Sequence, residues 1–136
     1  MRILITGITG FVGPHLAEHI ACSAPEAEIW GLVWGAEPGD APPAVRRVAG
    51  DLTEISSLVA ALDASRPDIV FHLAAASSVA SSWDRPGRFL EVNAVGTVNL
   101  FEALRTLGIR PRIVISSSGE IYGPVPPSMQ PITEEA

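Results

Sequence analysis

Two short stretches hold residue types that can do chemistry together. At 116–123 the sequence reads SSSGEIYG, directly after the apolar run RIVI. Three neighbouring hydroxyls at the mouth of a buried strand are groups that donate to a carbonyl or accept from an alcohol. At 6–13 the sequence reads TGITGFVG, with Gly7, Gly10 and Gly13 three residues apart. Glycines where a strand hands over to a helix let the backbone turn tightly and approach a pyrophosphate, which the first helical amides then face. The spacing is G-x-x-G-x-x-G, not the common G-x-G-x-x-G, and it follows a threonine.

Other chemistry-bearing residues read more plainly. HLAEH at 15–19 matches an H-x-x-E-H zinc pattern, with His15 and His19 four residues apart. A catalytic zinc needs a third protein ligand and an open position. These residues fall on the helix whose start faces the phosphate, so a solvated helix face accounts for them and no metal is expected. His72, inside an apolar run, reads as a buried imidazole with its hydrogen bonds satisfied. Trp30, Trp34 and Trp83 read as packing or loop cover, and Cys22 as a small buried thiol.

The elements that must position these groups follow from hydrophobic period. RILIT (2–6) is a nearly continuous apolar run, the pattern of a strand buried on both faces. Residues 11–24 change to helical spacing, and Pro14 is tolerated because it falls in the first turn. EIWGLVW (28–34) predicts a second strand, residues 36–44 a loop of turn residues, and 45–51 a third, shorter strand. Thr53 stands where an N-cap would, before a helix whose inner face is Ile55, Leu58, Val59 and Leu62. DIVFHLA (68–74) predicts the fourth strand and RIVISS (112–117) the fifth. Between them a helical pattern covers 86–107, with Leu90, Val95, Val98, Leu100, Phe101 and Leu104 as its expected core. Strands alternate with helices throughout, which predicts an α/β fold with a parallel sheet and right-handed crossovers.

Composition bounds the rest. A chain of 136 residues that is 47% hydrophobic buries one core, as a single domain or one lobe of a larger one. The net charge is −6 and the nine basic residues are scattered, which excludes the clustered basic face of a nucleic-acid binder. All nine are arginine, so no mechanism that needs a catalytic lysine is complete within these residues. No apolar run approaches the roughly 20 residues that cross a bilayer, and the cytoplasm is the expected location.

In the order of its motifs the sequence resembles the extended short-chain dehydrogenases/reductases, the NAD-dependent epimerase/dehydratase family. The resemblance covers essentially the whole chain. It rests on TGITGFVG, GDLTE (50–54), FHLAAASSV (71–79), VNAVGTVNLFEA (92–103) and ISSSGEIYG, each after its expected strand or in the long helix. Within the family these stretches are most similar to the GDP-mannose 4,6-dehydratase and GDP-4-keto-6-deoxymannose reductase branch. The resemblance implies a Rossmann-type doubly wound parallel sheet of order 3-2-1-4-5 with helices on both faces, residues 1–136 being an NAD(P)-binding domain and the amino-terminal part of a larger fold.

It also implies roles for particular residues. Gly7, Gly10, Phe11, Val12 and Gly13 would line the pyrophosphate; Asp51 and Leu52 would meet the adenine. Leu73, Ala74 and Ala75 would lie along the cofactor, and Asn93 would brace the floor of the active site. Ser118 would bind the C4 oxygen of a nucleotide sugar, a GDP-sugar being favoured, and Glu120 matches the general base of the dehydratases. The family's tyrosine of a Y-x-x-x-K pair has no counterpart: Tyr122 is the sole tyrosine, and Pro126 stands four residues on. PITEEA resembles the segment before that tyrosine, so a catalytic segment and a substrate lobe are expected beyond it, in a homodimeric parent. At the end of the second strand Val33, Trp34 and Gly35 offer neither the acid of NAD-preferring members nor the arginine of NADP-preferring ones, although Arg46 or Arg47 could reach in. A non-catalytic dinucleotide sensor or scaffold, and a reductase of non-nucleotide carbonyl substrates, remain as alternatives on the same fold.

Overall fold

A computed structural model of the chain describes residues 1–35 and 42–134. The expected loop at 36–44 therefore lies largely outside the described residues. In chain order the elements are β1 (Arg2–Thr6), α1 (Val12–Ser23), β2 (Glu28–Val33), β3 (Arg46–Ala49), α2 (Ile55–Ser65), β4 (Ile69–His72), α3 (Val79–Asp84), α4 (Pro86–Leu90), a π-helical turn (Glu91–Val95), α5 (Gly96–Leu107) and β5 (Arg112–Ile115). Two short 3₁₀ turns, Gly119–Tyr122 and Pro127–Met129, follow. The strands form a parallel sheet of order β3-β2-β1-β4-β5, the expected topology.

Strand alternation sorts the core into two layers. Ile3, Ile5, Ile29 and Val33 face one side and pack with Ile8 and with Ala17 and Ile20 of α1. Leu4, Leu32 and Val70 face the other and pack with Leu58, Ala61 and Leu62 of α2 and Leu100, Ala103 and Leu104 of α5. Helices thus cover both faces. Because β1 is central, the residues that follow it emerge in the middle of the sheet's carboxyl edge, where parallel α/β sheets bind ligands.

Several expectations are corrected. The fourth strand ends at His72 rather than residue 74, because the Leu73 and Ala74 N–H groups leave the ladder and donate to Thr6 Oγ1, each at 3.1 Å. The fifth ends at Ile115 and the third spans only Arg46–Ala49. Thr53 does not cap α2: the N-cap is Glu54, without a side-chain bond, while the Thr53 hydroxyl donates to Asp51 Oδ1 at 2.8 Å. On that helix Leu58 and Leu62 are buried with Ala61 and Ser65, whereas Ile55 is exposed. Helical backbone does run from 86 to 107, but the π turn inserts an extra residue and rotates the faces. Only Leu100 and Leu104 of the expected core residues are buried; Leu90, Val95, Val98 and Phe101 are exposed. Cys22 lies on the exposed side of α1, not in the core.

Candidate functional site

The glycine turn is built by close approach. Gly7 has φ +71°, and a Cβ there would stand 2.8 Å from the Ala74 nitrogen and 2.9 Å from the Leu73 carbonyl carbon. A Cβ at Gly13 would stand 2.5 Å from the Gly7 oxygen and 2.6 Å from Ile8 Cα. These two glycines let the turn rest on the end of β4 and α1 press on the turn. Gly10 is different: it is exposed, and its Cβ would meet only the Gly7 oxygen, at 3.2 Å. Phe11 and Val12 are exposed too, and no side chain caps the start of α1. The first amides of a 12-residue helix therefore face an uncovered surface, the arrangement that takes an anion.

One end of this surface is set by Asp51, which follows β3. Its Oδ1 accepts from the Thr53 N–H and hydroxyl, both at 2.8 Å, and its Oδ2 from the Trp34 indole N–H at 2.7 Å. Partial burial pushes the carboxyl up, but these bonds and the charge of Arg88 outweigh it and hold Asp51 below the ordinary carboxylate value. Leu52 turns its side chain into the core, and its carbonyl accepts from Asn99 Nδ2 at 2.9 Å. Arg46 does not reach in: its guanidinium pairs with Glu28 at 2.5 Å and lies 5.6 Å over the Trp30 ring, at the amino-terminal end of β2. Arg47 is exposed in β3, in register with Gly31.

The strip after β4 continues the surface. Leu73 and Ala74 are half-buried against Gly7, and Ala75 is exposed. Asn93, on the π turn, makes a reciprocal pair with the next residue: Ala76 N–H donates to Asn93 Oδ1 at 2.7 Å, and Asn93 Nδ2 donates to the Ala76 carbonyl at 2.9 Å. Beside Asn93 an apolar hollow of about 470 Å³ is lined by Trp83, Pro86, Phe89 and Leu90. Ser116, Ser117 and Ser118 are exposed after β5, and the Ser116 N–H donates to the His72 carbonyl at 3.2 Å. Ser118 precedes the 3₁₀ turn Gly119–Tyr122, which contains Glu120 and Tyr122. His72 is buried with both ring nitrogens hydrogen-bonded, to Thr6 and Thr97, as its apolar setting implied. His15 and His19 are exposed on α1.

The sequence profile of the NAD dependent epimerase/dehydratase family matches residues 3–136. The chain belongs to that family. It is 36% identical over 134 residues to the GDP-6-deoxy-D-mannose reductase of Pseudomonas aeruginosa, covering 98% of this chain and 39% of that enzyme. It is 34% identical over 137 residues to the GDP-mannose 4,6-dehydratase of Vibrio cholerae, covering 90% of this chain and 36% of that one. Among solved structures, the UDP-glucose 4-epimerase of Thermus thermophilus in complex with NAD superposes with a TM-score of 0.78 at 34% identity, over 93% of this chain and 41% of that one. The chain thus spans about two fifths of the length of the relatives it matches. The resemblance read from the motifs to this family and to its GDP-mannose enzymes is borne out, and so is the Rossmann-type sheet.

Some residues that shape the surface carried no functional expectation. Trp34 reads in the sequence as packing or loop cover, yet its indole holds Asp51; its place directly after β2 is the available signal. Thr6 stands directly before Gly7, and Thr97 four residues after Asn93, the spacing at which its hydroxyl reaches the Asn93 carbonyl at 2.7 Å.

Proposed function

We propose that the protein carrying this chain is an NAD(P)-dependent oxidoreductase of nucleotide sugars, working at the sugar C4 as a 4,6-dehydratase, 4-keto reductase or epimerase, and that this chain is its cofactor-binding part. The observation that carries the reading is the glycine turn. Gly7 and Gly13 bring three backbone segments together where no Cβ fits, in front of an uncapped helix start. The residues present fit a dinucleotide. Gly7, Gly10, Phe11, Val12 and Gly13 would hold its pyrophosphate, Asp51 and the Leu52 backbone its adenine end, and Leu73, Ala74 and Ala75 its length. When bound, its nicotinamide supplies two-electron hydride chemistry.

What the chain's own residues contribute is orientation and hydrogen bonding. Ser118 would donate to a C4 ketone or accept from a C4 alcohol, holding that oxygen in place. Asn93 would keep the 73–76 strip against the helix through its pair with Ala76, and Glu120 would serve as the base for a dehydration. We place the sugar half of the substrate near the apolar hollow beside Asn93, and we favour a GDP-sugar, since two of the three relatives described above are named for GDP-sugars. Since the chain has one tyrosine, in the 3₁₀ turn, and no lysine, we assign proton exchange at C4 to the remainder of the protein. NAD(H) is preferred over NADP(H) in this reading. An ionised Asp51 at the adenine end repels a 2′-phosphate, and Arg46 is engaged elsewhere.

The test is calorimetric titration of the full-length protein with NAD+ and NADP+, followed by a panel of GDP-, UDP- and dTDP-sugars assayed for C4 oxidation or reduction. Binding of NAD+ with turnover of at least one sugar is expected. Absence of dinucleotide binding overturns the whole reading; binding without turnover of any sugar overturns its catalytic half.

A further inference from the structure

A line of side chains that the proposed binding roles leave unused crosses the sheet behind the glycine turn. Thr6 ends β1 immediately before Gly7, His72 ends β4 beside it, and Thr97 is the second residue of α5. Thr6 and His72 are buried.

The polarity of this line is fixed by counting lone pairs and protons. Thr6 Oγ1 accepts from the N–H groups of Leu73 and Ala74, which uses both lone pairs of a hydroxyl that has only one proton. That proton must go to the remaining neighbour, His72 Nδ1, at 2.8 Å. Nδ1 is therefore bare. Burial disfavours the charged ring and pushes His72 below its usual value, so the imidazole is neutral and carries its proton on Nε2. Nε2–H faces Thr97 Oγ1 at 3.1 Å, and Thr97 in turn donates to the Asn93 carbonyl at 2.7 Å. Every donor points the same way, from Thr6 through His72 and Thr97 to Asn93. The His72 backbone adds a branch, its carbonyl accepting the Ser116 N–H at 3.2 Å.

We infer that His72 is a positioning residue which, through this one-way hydrogen-bond chain, sets the glycine turn, the Leu73–Ala74 strip and the Asn93 turn relative to one another. The inference rests on reading the glycine turn as a dinucleotide site. His72 itself is buried and acts through its neighbours: Thr6 holds the strip against Gly7, and Thr97 holds the π turn that presents Asn93. A packing role alone requires only a ring of this size. The positioning role requires an acceptor at Nδ1 and a donor at Nε2.

The experiment uses the full-length protein. Histidine side-chain nitrogen–proton NMR correlations are expected to show His72 as the neutral Nε2–H tautomer. His72→Asn places an acceptor near Nδ1 and loses the Thr97 link, so NAD+ affinity should stay within about threefold while kcat falls roughly tenfold, the cost of one buried group left unpaired. His72→Gln keeps the reach to Thr97 and loses the Thr6 link, so NAD+ binding should weaken roughly tenfold. Thr97→Val should reproduce the Asn variant. His72→Phe, which fills the space with neither link, should lose both properties; wild-type values for it would overturn the proposal, as would equal effects of Asn and Gln on both readouts. If the ring variants do not fold, the tautomer of the unmodified protein and Thr97→Val still decide. A Nδ1–H tautomer in a protein that binds NAD+ overturns this inference alone, whereas failure of the unmodified protein to bind NAD+ overturns the dinucleotide reading and the functional half of this one with it.

Discussion

Substituting the three glycines of the turn by alanine one at a time should separate three physical roles. At Gly7 the backbone has φ +71°, where an L-residue costs about 1–2 kcal/mol. The new methyl also meets Ala74 N and Leu73 C at 2.8 and 2.9 Å, backbone atoms that cannot rotate away. Overpacking of this kind costs about 1–3 kcal/mol, so Gly7→Ala should destabilise by about 2–5 kcal/mol. Gly13→Ala carries the overpacking without the positive φ, and alanine is the better helix former by up to about 1 kcal/mol. Its methyl meets backbone atoms at 2.5, 2.6 and 2.8 Å, closer than at Gly7, so the overpacking lies at the top of its range and the net cost should be about 2–3 kcal/mol. Gly10→Ala meets a single atom at 3.2 Å and should stay within about 0.5 kcal/mol in stability while weakening NAD+ binding, because its methyl occupies the uncovered surface. Urea unfolding followed by circular dichroism measures all three; at a slope of about 2 kcal/mol/M the Gly7 variant should move its midpoint down by about 1–2.5 M. A Gly7→Ala protein within about 0.5 kcal/mol of the parent, or Gly10→Ala as the least stable of the three, would refute the reasoning.

Other consequences are smaller in reach. Trp34→Phe removes a charge-assisted bond to Asp51 and should raise the Asp51 pKa, read by carboxyl NMR titration, while the preference for NAD+ over NADP+ in calorimetry stays, since the Thr53 bonds and Arg88 still keep the carboxylate ionised at neutral pH. Asp51 has its folded pKa depressed, so the stability it contributes is present above its unfolded value of 3.8 and is lost as pH falls through the lower folded value; Asp51→Asn should abolish that part of the acid limb of a pH–stability curve. Ser118→Ala should lower kcat on the cognate nucleotide sugar by about 10²-fold with NAD+ affinity unchanged, checked by turnover and titration on one preparation. Arg46→Ala should leave cofactor selectivity as it is, since its guanidinium is held by Glu28 and Trp30.

The sheet was legible in the sequence because burial on both faces demands apolar runs, and RILIT, EIWGLV and IVFH have no other use. The ends of the strands were not. Leu73 and Ala74 continue the apolar pattern, so period alone extends β4 through them, but their N–H groups are taken by a threonine 67 and 68 residues away. Thr53 had the type and place of an N-cap, and a nearer carboxylate claimed its hydroxyl. In the long helix the apolar positions were visible, but not which of them face the sheet, because the π turn at Glu91–Val95 shifts the register with no Gly or Pro inside it. The glycine turn was legible through its spacing, and the serine run through its place after a strand. Trp34, Thr6 and Thr97 were not, since each acts by a hydrogen bond to a residue distant in sequence.

The central place of β1 also governs the order in which the protein can be made. The strand is translated before the other four, yet one of its two neighbours in the sheet is β4, and Thr6 must wait for His72, 66 residues later. At about 5–20 residues/s that interval is roughly 3–13 s. Throughout it, a strand whose residues 3–6 are all buried in the finished fold has an unpaired edge, and no hairpin partner stands nearby to cover it. The nascent chain is therefore most vulnerable to sticking to its neighbours on the ribosome before residue 72 emerges, and a chaperone that shields residues 2–6 would act in that window.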